Sequence, residues 1–80
     1  MKERNGEFTN MTKFDEDLGR ALRECREKQK KTQLEVADFC GVSKMTVSYW
    51  ESGKHAMYAV HLKKYCQFLG VSVESIVERT

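Results

Sequence analysis

Apolar positions recur along this chain at intervals of three and four, a period that predicts helices and offers no alternation suited to a strand. The first stripe is Phe14, Leu18, Ala21, Leu22 and Cys25. It predicts a helix from about Lys13, with Thr12 as its cap and Asp15, Glu16 and Asp17 placing negative charge at the positive end of the helix dipole. Val36, Ala37 and Cys40 make a second, shorter stripe. Thr32 and Glu35 open it with the T-x-x-E spacing of a capping box, and Gly41 closes it. Ser43 caps a third helix at once, with Val47 and Trp50 three residues apart on its inner face. Ser52, Gly53, Lys54 and His55 read as a loop. Leu62, Tyr65, Cys66 and Leu69 then mark a fourth helix over about 58–69, stopped by Gly70, and Ser72 caps a short fifth over about 73–77. Residues 1–12 hold no sustained period and contain Gly6 and two asparagines, so a flexible tail is expected before a domain at 13–80. A basic arm built on Lys2 and Arg4 is the alternative, and Glu3 and Glu7 oppose it.

The expected architecture is therefore all-α, five compact helices around one core. Eighty residues suit one small domain, and 40% hydrophobic with 32% charged residues fits a soluble globular chain. No apolar run is long enough to cross a membrane, and the charged start lacks a signal-peptide core, which points to a cytoplasmic protein. Cys25, Cys40 and Cys66 are odd in number, lack a C-x-x-C spacing and fall on apolar stripes, so buried thiols are expected. A zinc site joining them to His55 or His61 is the rival, and no ligand spacing supports it. No metal and no cofactor are expected.

The formal net charge is only +2, but its distribution is uneven. Between Gly41 and Gly70 lie Lys44, Lys54, Lys63 and Lys64 against the single Glu51, while acidic residues collect elsewhere. Such a polarity can turn one face toward a polyanion, although a mixed solvated surface gives the same count. The third helix adds chemistry to the charge. With Val47 and Trp50 inward, Lys44, Met45, Ser48 and Tyr49 point outward: a cation, a flexible apolar chain, a hydroxyl and a phenol. Each can meet a phosphate or a base edge. Two short helices around a tight turn, the second so equipped, read as a helix-turn-helix; a merely solvated face is the plainer reading.

The run TQLEVADFCGVSKMTVSYWESGK, followed by a helix ending FLGVSVESI, resembles the lambda-type repressor and Cro family, the Xre-like regulators. The matching residues are Thr32, Gln33, Ala37, Gly41, Val42, Ser43, Val47, Ser48, Glu51, Gly53, Lys54, Leu69, Gly70, Val71 and Ser72. The resemblance implies a sequence-specific regulator, of phage or bacterial Cro or repressor type, binding a palindromic double-stranded DNA operator as a homodimer, nucleoid-associated in a bacterial or phage-infected cell. It implies base contacts from Lys44, Met45, Ser48 and Tyr49, and backbone contacts from Thr32, Gln33, Thr46, Ser52, Lys54 and His55. Arg26 and Glu51 match positions of a buried ion pair that would fix the third helix. Val71, Val73, Ile76 and Val77 offer more apolar surface than a short terminal helix needs, and a dimer interface is expected there; packing on helices one and four is the alternative.

Three departures stand out. Lys30 and Lys31 replace a glycine and an apolar residue, Met57 replaces a proline, and Phe39 takes a usually polar position, either packing on Phe8 or marking a protein contact. An antitoxin or adaptor using the fold chiefly to bind a regulatory protein partner therefore stays open. An enzyme is not expected: the cysteines, His55, His61 and scattered carboxylates lack a phosphate loop, a nucleophile elbow or a paired metal motif.

Overall fold

The computed structural model describes residues 12–80; the tail expectations on Lys2, Arg4 and Phe8 lie outside them. Among the described residues there are five helices and no strand: α1 (Lys13–Lys28), α2 (Gln33–Cys40), α3 (Lys44–Ser52), α4 (Ala59–Leu69) and α5 (Val73–Val77). Thr12 and Thr32 both form complete capping boxes, with Asp15 and Glu35 returning a carboxylate to the cap backbone. Ser43 and Ser72 accept from the backbone amides of Thr46 and Ser75. Each hydroxyl satisfies a donor that the first helical turn would otherwise leave unpaired. Tyr58 is the N-cap of α4 without a side-chain cap bond, so that helix starts one residue later than its apolar period suggests.

The core is one cluster. Leu18, Ala21, Leu22 and Cys25 of α1 meet Val36, Ala37 and Cys40 of α2, Val47 and Trp50 of α3, Tyr65, Cys66 and Leu69 of α4, and Ile76 of α5. The three cysteines are buried in it and unpaired. Phe14 departs from the stripe that Leu18 begins: it is exposed. Periodicity assigns a residue to a face, but not how far along that face the neighbouring helices reach, and Phe14 sits in the first turn of the longest helix.

Two backbone positions decide how α1 and α3 meet. Gly19 is buried in the middle of α1, where a glycine costs about 1 kcal/mol relative to alanine. A Cβ there would collide with the carbonyl oxygen of Trp50 and crowd that of Glu51. The missing side chain lets the two backbones touch. At the end of α1, Lys30 takes φ +58°, the left-handed conformation that Gly41 takes at φ +75° after α2. The amide of Lys31 then donates to Arg26 O at 3.1 Å, closing the helix without a glycine. Lys31 itself lies with its ammonium 5.0 Å from the Phe68 ring centre, where the resemblance implies an apolar residue.

Candidate nucleic-acid interface

Helix α3 is held between α1 and α2, and its packing leaves one face open. The tight turn comes from Gly41: its amide and that of Val42 both donate to Ala37 O, at 2.9 and 3.0 Å, and Ser43 opens α3 immediately. Val47 and Trp50 are buried, and α3 therefore turns Lys44, Met45, Ser48 and Tyr49 to the opposite side. Together with Gln33 from the first turn of α2, these four line a shallow groove. Met45 is 61% exposed, a large apolar side chain left in water.

The flanks carry hydrogen-bonding groups. Thr46 shares a 2.9 Å hydrogen bond with Ser43 Oγ, and Ser52 donates to Tyr49 O at 3.3 Å. After α3, His55 packs edge-on to Tyr49 with ring centres 4.7 Å apart, and the Lys54 ammonium lies 5.8 Å from the Tyr49 ring centre. Tyr49 is thus braced by the loop that follows its own helix. Thr32 caps α2 with a hydroxyl that accepts from the Glu35 amide at 3.1 Å, and the Glu35 carboxylate accepts from the Thr32 amide at 2.7 Å.

Beneath this face sits a buried ion pair. Arg26 Nε donates to Glu51 Oε2 at 2.8 Å and Nη2 to Oε1 at 2.9 Å, a two-pronged contact between α1 and the last turn of α3. Gln33 Nε2 donates to Oε1 at 3.0 Å, and the Tyr65 hydroxyl from α4 donates to Oε2. Burial pushes the Glu51 carboxyl up, but donation from Arg26, Tyr65 and Gln33 and the Arg26 charge outweigh it, so its pKa lies below the ordinary value. The Glu51 hydrogen bond in turn raises Arg26, and burial followed by that carboxylate raises Tyr65. Arg26 Nη1 also donates to Lys31 O at 2.8 Å, tying the α1–α2 connection to the same cluster. One carboxylate joins four helices.

Tyr65 and Gln33 were not legible as partners of Glu51, since nothing in their spacing shows a contact made across the fold. Gly19 carried a signal: a glycine between Leu18 and Leu22 on a strong helix implies a close approach.

The four residues expected at a dimer contact fare differently. Ile76 is 1% exposed and belongs to the core of its own chain. Val71 and Val73 pack partly against that core, and Val77 remains 37% exposed. The apolar content of α5 is thus mostly used within the chain. Phe39 is 48% exposed, with its ring centre 5.3 Å from that of Phe68; Phe8 lies outside the described residues. No group of three or more metal-ligating side chains is gathered among the described residues, and none of their helices is long and apolar enough to cross a membrane.

A helix-turn-helix family model matches residues 22–76. The clp gene regulator ClgR of Corynebacterium glutamicum superposes with a TM-score of 0.82 at 30% identity, over 88% of this chain and 74% of that one. The restriction-modification controller protein C.AhdI of Aeromonas hydrophila superposes at 0.73 with 23% identity, over 76% and 92%, a likeness of fold. A glutamine--fructose-6-phosphate aminotransferase [isomerizing] of Methanocaldococcus jannaschii is 35% identical over 68 residues. Those residues are 84% of this chain but 6% of that enzyme, so the chain spans a small fraction of that relative's length.

Proposed function

The chain belongs to the helix-turn-helix family, of the Xre or lambda type, and from that premise we propose that it is a sequence-specific regulator of transcription that reads DNA with α3. The observation carrying this reading is the groove formed by Gln33, Lys44, Met45, Ser48 and Tyr49, beside the Arg26–Glu51 ion pair that joins α1 to the end of α3. A helix of this width fits the major groove, where Lys44 can donate to guanine O6 or N7, Met45 can touch a thymine methyl, and Ser48 can serve either kind of base. Thr32, Thr46, Ser52, Lys54 and His55 sit at the edges, suited to the flanking phosphates.

We further propose a phage or bacterial regulator of Cro or repressor type, cytoplasmic and nucleoid-associated, that binds a palindromic operator as a homodimer through Val77, Val71 and Val73. A two-fold operator suits two copies with α3 helices spaced about 34–36 Å apart, one turn of DNA. No catalytic role is taken from the aminotransferase, whose shared stretch is a small part of its length. A second reading, docking of a regulatory protein partner, is favoured by the half-exposed Phe39 beside Phe68.

The test is selection of bound sequences from random duplex DNA, followed by salt titration of the wild type and of Met45→Ala with Ser48→Ala. The expected outcome is an enriched near-palindrome, with the double variant losing preference and keeping its salt dependence. Weak, salt-sensitive binding without enrichment would reject the reading in favour of the protein partner.

A further inference from the structure

The Glu51 carboxylate has no lone pair to spare. Oε1 accepts from Arg26 at 2.9 Å and Gln33 at 3.0 Å, and Oε2 accepts from Arg26 at 2.8 Å and from Tyr65. A carboxylate offers about four acceptor sites, and all four are used. The consequence falls on Gln33. The two ends of a glutamine amide have nearly the same shape, but an ionised carboxylate can only accept. Turning the amide over would set its Oε1 against Oε1 of Glu51, acceptor facing acceptor in a part-buried place. Chemistry therefore fixes the orientation, with Nε2 inward and Oε1 away from Glu51. The same side chain lines the groove with Lys44, Met45, Ser48 and Tyr49, and among the described residues none donates to its Oε1.

We propose that Gln33 is a base-reading residue that presents a fixed acceptor to an exocyclic amine, adenine N6 or cytosine N4. This rests on the DNA-binding reading above and replaces the phosphate contact that the resemblance implies for this position. Adenine and cytosine are the two bases that show a donor in the major groove. A phosphate shows acceptors only, so the outward carbonyl repels it; of the two N–H groups on Nε2 one is spent on Glu51, and a phosphate contact would have to come from the second. Gln33 is thus a specificity determinant set from beneath by the ion pair, on a different helix from the other readers.

The experiment repeats the selection from random duplex DNA with wild type, Gln33→Met and Gln33→Ala, checked for folding by circular dichroism. Gln33→Met keeps the length of the stem and removes both amide groups; Gln33→Ala serves should the longer variant fold poorly. Affinities are then measured for the selected site with each base in turn at every position. The expected result is an adenine or cytosine preference at one position of each half-site that falls about five- to tenfold in the variants, with preferences elsewhere unchanged. Met45→Ala should alter a different position. An equal loss for all sequences would overturn the proposal and make Gln33 a phosphate contact. Unchanged affinity and preference would overturn it too, leaving only a brace for Glu51. If the wild type enriches no sequence, the DNA-binding reading falls and takes this one with it.

Discussion

Glu51 shows how much one side chain can carry when four donors converge on it. The desolvation cost of burying Glu51 and Arg26 is offset only while both are present, because either alone is a charge without a partner in a place that excludes water. Glu51→Gln is therefore expected to lower stability by about 3–5 kcal/mol, read as the shift in a urea melt; a loss below about 1 kcal/mol would show the pair to be incidental. The pH dependence has a definite sign. The folded Glu51 titrates below its ordinary value of 4.5, so its contribution is complete above that pH and is lost as pH falls through the lower folded value. Asp17, lowered by Lys13 and Arg20, and Glu35, lowered by the Thr32 backbone, act in the same direction. Denaturant melts between pH 3 and 6 should show stability declining below about 4.5 in the wild type, with a shallower decline in Glu51→Gln. Lys30 sits at the other extreme, a residue whose own backbone is strained. Its φ of +58° costs a side-chain-bearing residue roughly 1–2 kcal/mol, and glycine adopts it readily. Lys30→Gly is expected to raise stability, read from a denaturant melt, by up to about 1 kcal/mol once the extra freedom of glycine in the unfolded chain is subtracted.

At the scale of the helices, the junction of α1 with α3 governs how the open face of α3 is presented. Gly→Ala in the interior of a helix ordinarily stabilises it by about 1 kcal/mol. Gly19→Ala is expected to do the reverse, costing about 2 kcal/mol or more, because the new methyl meets the backbone oxygens of Trp50 and Glu51, which no rotamer change can move. The same shift would tilt α3, so DNA affinity should fall further than the melting midpoint alone accounts for; a stabilised variant with intact binding would refute this account of the junction. The elements themselves were readable because their signals are local: Thr32 with Glu35, Ser43, Gly41 and Gly70 are punctuation that acts within one turn of chain. The outward face of α3 was readable for the same reason, since the burial of Val47 and Trp50 leaves Lys44, Met45, Ser48 and Tyr49 on the other side. What the sequence did not yield is long-range. Gln33 and Tyr65 reach Glu51 across 18 and 14 residues of chain, and Phe14 keeps the period of a core residue at a point where no core meets it.

For the whole molecule the open matter is how two copies would meet, and the distinction between Ile76 and Val77 makes it testable. Both are apolar residues of one five-residue helix, yet Ile76 closes the core of its own chain while Val77 faces outward. A charge at Ile76 should unfold the monomer and would report nothing about assembly. A charge at Val77 separates the two effects. Lysine there lies at the end of α5, where a cation suits the helix dipole, so Val77→Lys is expected to keep the monomer within about 0.5 kcal/mol of wild type. In a symmetric contact the same substitution appears twice, setting like charges across the two-fold axis in place of apolar side chains each worth about 1.5–3 kcal/mol when fully buried. Sedimentation velocity should then show a monomer at concentrations where the wild type is dimeric. Operator binding should require both half-sites at much higher protein concentration, while binding to one half-site is unchanged. A wild type that stays monomeric with and without operator would remove α5 from the interface. It would turn attention to the exposed Phe39 and the partly buried Phe68 beside it, at the ends of α2 and α4.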